Sequence, residues 1–400
     1  MNHPMSLVTS DLKAWQRSAI RETMANYRRA QDDYYIGGKP LADTDGGYKA
    51  FSLLTPPLGS PAARRRVKLI MENMLQSGQA AATPADFSMA GRTPHVITMA
   101  VTYNCQCDCL HCSAADYQAE TRRQNSALTF EELKSVIDQT LDLGTTCVVL
   151  TGGEPLLYEK IYDLIAAVDK HRSVCTIFTN GEFLLDHTVG KLKRAGVFGV
   201  FVSLDHADPE LHDSHRQRPG LAEKAYRGLR LCQDAGILTG ISTYATKEKI
   251  RNGELDAMMD LARSLGVLEV FLFDVIPTGR LSAQHECMLS DEDARHIVDF
   301  RAKYTQKPDY PRIIHQTMFS SIAYPCVAEG CPAGTVQVHL RANGDVCPCD
   351  FTPYSFGNIR KQPLKEIWES MSAHALFARP SARCRLSQPA YWTKLSELPG

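Results

Sequence analysis

Four of the chain's thirteen cysteines fall within the run Cys105-Gln106-Cys107-Asp108-Cys109-Leu110-His111-Cys112. Cys105, Cys109 and Cys112 stand at C-x3-C-x2-C spacing, so one short loop can present three thiolates together. Thiolates are soft ligands that suit zinc or iron–sulfur centres. Three of them can hold three corners of a [4Fe–4S] cubane and leave the fourth iron open. A closed zinc site wants four protein ligands, and Cys107 or His111 would have to complete it. The spacing favours the cubane, and a register that uses Cys107 as a ligand breaks it.

Two further constellations carry chemistry. Thr151-Gly152-Gly153-Glu154-Pro155 joins two glycines, which let a ligand approach the backbone closely, to a carboxylate able to accept from an ammonium group. Taken alone it reads equally as an ordinary strand-to-helix turn. Farther on, Cys326-x4-Cys331 is followed by Asn343-Gly344-Asp345-Val346-Cys347-Pro348-Cys349-Asp350, by Gly357-Asn358-Ile359 and by Cys384. Cysteines in that number could make a zinc knuckle or hold a second cluster. The scattered Cys147, Cys175, Cys232 and Cys287 lie in or near apolar stretches and read as buried, inert thiols.

Such residues need a scaffold, and the pattern around them supplies one. Short apolar runs rich in β-formers occur at 96–102, 146–151, 175–179, 199–204, 236–244 and 267–275. They alternate with helical stretches at 130–143, 160–171, 188–195, 221–235 and 254–265. Thr129, with Glu132 three residues on, is a capping box that opens the first of these helices. Six β–α repeats favour a parallel sheet, doubly wound or curled into a partial barrel. In such folds chemistry gathers at the carboxyl ends of strands, where the cysteine loop and the Gly-Gly-Glu-Pro run both fall. Asn343-Gly344-Asp345 reads as a hairpin turn, with a helix following at 364–370. Residues 1–92 read as helical at 13–30 and 62–75, with turn-rich interruptions.

In spacing, order and separation these motifs resemble the radical S-adenosylmethionine (radical SAM) superfamily. The resemblance implies an α/β fold built on a partial (β/α)6 barrel over residues 93–285. A helical N-terminal extension, 1–92, would precede it. A small cysteine-rich α+β domain, 310–400, would follow and looks like the SPASM domain or the shorter twitch domain. On this resemblance Cys105, Cys109 and Cys112 hold a [4Fe–4S] cluster, whose open iron chelates the amino and carboxylate groups of S-adenosylmethionine. His111 would pack near the adenine, and Gly152, Gly153, Glu154 and Pro155 would receive the methionine amino group. Asn180 would line the site from the end of the third strand, and Ser203 and Asp205 would face the ribose and neighbouring polar groups. Arg216, with Arg218 as its competitor, would pair with the methionine carboxylate. In the C-terminal part the resemblance implies one auxiliary [4Fe–4S] cluster on Cys326, Cys331, Cys349 and Cys384, with Cys347 as the alternative to Cys349.

The chemistry this implies is reductive cleavage of S-adenosylmethionine to a 5′-deoxyadenosyl radical that abstracts hydrogen from a substrate carbon. An auxiliary cluster could then accept the substrate's electron, and Asp350, beside a ligand, is the candidate base for the proton lost. The expected substrate is a peptide or protein. A small molecule of natural-product or cofactor biosynthesis is the alternative, and a non-catalytic zinc or electron-transfer protein the remote one. Flavodoxin or ferredoxin would supply the reducing electron. A net charge of −1 points to neither nucleic acid nor an anionic membrane as partner. No run approaches the roughly 18 apolar residues of a spanning helix, and no signal peptide is seen, so a cytoplasmic protein is expected. Clustered cysteines in that reducing compartment favour metal ligation over disulfides.

Overall fold

The computed structural model describes residues 38–77, 93–124, 126–315, 331–377, 381, 384–388 and 391. The helix expected at 13–30, and Cys326, lie outside the described residues. The described part opens with an antiparallel ribbon, β1 (Ala42–Asp43) and β2 (Lys49–Ala50), and helix α1 (Pro61–Ser77). Then come β3 (Val96–Thr102), α2 (Ala115–Gln124), α3 (Phe130–Leu143) and β4 (Cys147–Gly152). The alternation runs on through α4 (Ile161–Ala167), β5 (Val174–Thr179), α5 (Asp186–Ala195) and β6 (Gly199–Ser203). Helices α6 (Pro209–Arg216) and α7 (Leu221–Asp234) lead to β7 (Leu238–Ala245). Next are α8 (Lys247–Arg251), α9 (Glu254–Ser264), β8 (Glu269–Asp274), α10 (Asp291–Thr305) and β9 (Arg312–His315). The C-terminal part adds β10 (Gln337–Leu340), β11 (Asp345–Cys347), β12 (Gly357–Asn358) and α11 (Leu364–Ala373).

Ten of these strands form one sheet, ordered β12-β11-β10-β3-β4-β5-β6-β7-β8-β9. From β3 to β9 each strand lies parallel to the next, so β9 adds a seventh strand to the six read from the sequence. At the other edge β10 pairs in parallel with β3, placing His339 opposite Thr98. The cysteine-rich hairpin thus continues the barrel sheet and covers the open backbone edge of β3.

Helix α3 shows why the layers hold. Its capping box is present, with the Glu132 carboxylate accepting from Thr129 N at 2.8 Å and the Thr129 hydroxyl accepting from Glu132 N at 3.3 Å. Leu133, Val136, Ile137 and Leu141 recur at helical spacing and are fully buried against the sheet. Each is worth about 1.5–3 kcal/mol of transfer from water. Inside the barrel the filling is different. Leu53, just after the β1–β2 ribbon, is wholly buried against Phe201 and Phe271. The turn-rich stretch ahead of α1 therefore supplies a plug. Among the described residues no helix is long and apolar enough to cross a membrane.

Candidate active site

The cysteine loop leaves the carboxyl end of β3 and is held from two sides by backbone. Gly153 N donates to Thr102 O at 2.8 Å, and Glu154 N to Asn104 O at 2.8 Å. A Cβ at Gly152 would overlap the Thr102 carbonyl oxygen, and one at Gly153 the Asn104 carbonyl oxygen. The close approach these glycines permit is thus made by the chain itself. On the far side the last turn of α6 accepts from the loop, with Asp108 N bonded to Arg216 O at 3.2 Å and Leu110 N to His215 O at 3.0 Å.

Cys105, Cys107, Cys109 and Cys112 all line one cavity of about 250 Å³ at the carboxyl ends of the strands. The Cys107 thiol hydrogen-bonds to both Cys105 and Cys109, and these bonds first, then burial, push its own pKa well up. The same bond outweighs burial at Cys109 and brings it down to about 7, with the Arg216 charge assisting. Burial raises Cys112 to about 11. Among the described residues no three His, Cys, Asp or Glu groups are arranged to hold a single metal ion. A cubane takes each thiolate at a separate iron, and the loop's cysteines, gathered at one cavity, fit that demand.

The polar residues expected around S-adenosylmethionine divide into two groups. Gly152, Gly153, Asn180, Ser203, Asp205, Arg216 and His111 all line the cavity. Glu154 does not. Its buried carboxylate accepts from Leu156 N at 3.0 Å, the Thr179 hydroxyl at 2.7 Å and Asn180 N at 2.8 Å, and burial raises it to about 7. The Glu154 carboxylate thus braces the ends of β4 and β5. Asn180 Oδ1 accepts from Gln106 at 3.1 Å and from Glu182 N at 3.0 Å, while its Nδ2 is buried with no protein partner. Ser242 donates to the Ser203 hydroxyl at 3.1 Å.

Arg216 grips Asp205 with two bonds of 2.6 and 2.8 Å, and His111 Nε2 lies 3.5 Å from the same carboxylate. Burial works to raise the Asp205 pKa, but Arg216 and then His111 overcome it and hold the carboxyl well below the usual range. Burial pushes His111 down to about 4, leaving a neutral ring that packs 4.4 Å from Tyr244. Arg216 and Asp205, expected to serve separate parts of the cofactor, are thus partners of each other. Arg218 turns away to Glu182, which also receives Lys224.

A second cavity holds Cys331, Cys349 and Cys384, together with Phe273, Asp274, Ile276 and Phe351. Cys347 is fully buried, is not among the residues lining it, and lies near Arg341. Those last four residues, Phe273 to Phe351, also line the first cavity, so the two spaces share one wall. Asp350 faces the first cavity. Its carboxylate receives Thr98 Oγ1 at 3.0 Å and Gln337 Nε2 at 2.8 Å, with His339 Nδ1 3.3 Å away. Burial would raise its pKa, yet His339 and the hydroxyl bond from Thr98 bring it below the usual value.

Sequence reasoning missed Thr98, Gln337, His339 and the Gly279-Arg280 turn. The first three come together only through the β10–β3 register. Gly279-Arg280 follows β8, and its place just beyond a strand's carboxyl end was the one signal available.

A parallel barrel with a cysteine-rich loop at its strand ends, and a second thiol-lined cavity sharing its wall, fits the class of iron–sulfur enzymes. The sequence matches the model of the radical SAM superfamily over residues 99–283 and that of an iron–sulfur cluster-binding domain, SPASM, over 331–388. It is 30% identical to an AdoMet-dependent heme synthase of Methanosarcina barkeri, over 69% of this chain and 82% of that one. It is 27% identical to an Fe-coproporphyrin III synthase of the same organism, over 69% and 74%. The fold matches Streptococcus suis SuiB bound to its precursor peptide SuiA, with a TM-score of 0.60 at 16% identity, covering 79% of this chain and 70% of that one. The chain belongs to the radical SAM superfamily and carries a C-terminal SPASM domain. It is accordingly an oxidoreductase-type enzyme that binds S-adenosylmethionine, a [4Fe–4S] cluster and an auxiliary cluster.

Proposed function

We propose that this enzyme oxidises a side chain of an iron tetrapyrrole, a small-molecule substrate. The observation that carries the oxidative reading is the wall common to the two cavities, which brings a substrate in the first within reach of an electron acceptor in the second. The tetrapyrrole reading is supported by the relatives named for haem and Fe-coproporphyrin III synthesis. A peptide substrate, the first expectation from the sequence, has support from the fold likeness to SuiB and from a more distant sequence relative, a Bacillus subtilis bacteriocin biosynthesis protein at 24% identity.

In this reading Cys105, Cys109 and Cys112 hold the loop cluster, and Cys331, Cys349 and Cys384, with Cys326, hold the auxiliary one. Bound cluster and S-adenosylmethionine supply the 5′-deoxyadenosyl radical that takes hydrogen from the substrate carbon. His111 would lie near the adenine, Gly152, Gly153, Glu154 and Pro155 would receive the methionine amino group, and Asn180 Nδ2, buried without a protein partner, would offer a donor. Ser203 and Asp205 would face the ribose and neighbouring polar groups, and Arg216, oriented by Asp205, would pair with the methionine carboxylate. Asp350 accepts the proton lost on oxidation, held in place by Thr98, Gln337 and His339. A reducing compartment, the cytoplasm, and a flavodoxin or ferredoxin donor complete the proposal.

The test uses anaerobically reconstituted full-length protein with dithionite, S-adenosylmethionine and Fe-coproporphyrin III. About eight irons, two cubanes' worth, are expected, with 5′-deoxyadenosine released in step with a modified porphyrin. Stimulation of 5′-deoxyadenosine by a peptide encoded nearby, and none by the porphyrin, would overturn the substrate class.

A further inference from the structure

We propose that Arg280 is a positioning residue for the three-cysteine loop and that its charge raises the reduction potential of the cluster held there. The segment that bears it begins in the wall common to both cavities, at Phe273, Asp274 and Ile276, and turns sharply at Gly279. Gly279 adopts φ of +56°, and a Cβ there would overlap the carbonyl oxygen of Cys112. Only glycine lets the turn lie flat against the loop. Arg280 N then donates to Cys112 O at 3.1 Å. Its guanidinium Nη1 reaches Asp108 O at 2.6 Å and Cys109 O at 3.0 Å, and Nη2 meets the Asp108 carboxylate. One residue thereby ties down the backbone of two proposed ligands and of the residue beside one of them.

Charge adds to the clamp. Arg216 and Arg218 also lie near these thiols, but Arg216 is gripped by Asp205, only 1% exposed, and Arg218 by Glu182, 6% exposed, so each charge is largely cancelled. The partner of Arg280, Asp108, is 72% exposed, where water screens it. A fixed cation beside a cluster favours the form that has gained an electron. Guanidinium geometry matters as well, since a planar fork spans carbonyl and carboxylate together and an ammonium does not.

The proposal rests on Cys105, Cys109 and Cys112 as ligands, so the experiment separates the two. Native protein, Arg280→Gln, Arg280→Lys and the triple alanine variant of the three cysteines are reconstituted anaerobically and titrated by EPR-monitored reduction. Iron release to a chelator is timed in parallel. Arg280→Gln should shift the loop-cluster potential negative and release that cluster's iron several-fold faster, leaving the auxiliary signal unmoved. Arg280→Lys should recover the potential but not the slow release. An Arg280→Gln potential equal to the native one, or a shift common to both clusters, overturns the role of Arg280. Survival of the loop-cluster signal in the triple variant would instead overturn the ligand assignment.

Discussion

Asp205 is buried, Arg216 is 12% exposed, and each is held ionised by the other. Removing one member of such a pair leaves a buried charge without compensation and costs about 3–5 kcal/mol. Asp205→Asn should therefore lower the denaturation midpoint substantially and weaken S-adenosylmethionine binding, read by calorimetric unfolding and equilibrium dialysis. Asp350 calls for a different assay, because its proposed work follows radical formation. Asp350→Asn should reduce product by about 10²-fold, the lower end of what a general base contributes, while 5′-deoxyadenosine still forms. Equal loss of both products would place Asp350 in cofactor binding instead. Among the cysteines, replacing Cys105, Cys109 and Cys112 by alanine should leave about half the iron, four of about eight atoms.

At the scale of elements, the end of β4 shapes the loop after β3. Gly152 and Gly153 let the two backbones touch, and two hydrogen bonds of 2.8 Å lock them. Gly153→Ala should push Asn104 and the adjoining Cys105 outward. The expected result is loss of the loop cluster with retention of the auxiliary one, measured as iron content and by EPR. The β10–β3 pairing has the complementary effect: it sets Thr98, Gln337 and His339 around Asp350 and seats the cysteine hairpin against the barrel.

For the whole molecule, stability draws on the barrel plug. Leu53 N donates to the Glu269 carboxylate at 2.6 Å, and the Thr176 hydroxyl donates to Leu53 O at 2.6 Å. Burial lifts the Glu269 pKa from 4.5 to about 8, so the folded protein keeps a proton that the unfolded chain releases. Unfolding then releases that proton between those values, and the contribution of Glu269 to stability falls as pH rises through the window. Glu269→Gln keeps an acceptor for Leu53 N without the titration. Its denaturation midpoint should therefore gain on the native one between pH 5 and about 8, and a constant difference across that range would refute the account.

The cysteine spacing, the six β–α repeats, the Thr129 capping box and the 343–345 hairpin turn were legible in the chain because each depends on neighbours within a few residues. The short strand β9 offered no such periodic signal and was missed. Other features were settled only by tertiary structure. Cys349 rather than Cys347 lines the second cavity because β11 ends at Cys347 and the chain bends at Pro348 and Cys349; in a continuing strand the two cysteines would share a face. Glu154 turns inward because β5 brings Thr179 and Asn180 to it, and Arg280 reaches the cysteine loop across about 170 residues of chain. Local pattern carries the period of an element and the chemistry of a motif. Which motifs meet depends on strand order, which only the assembled sheet decides.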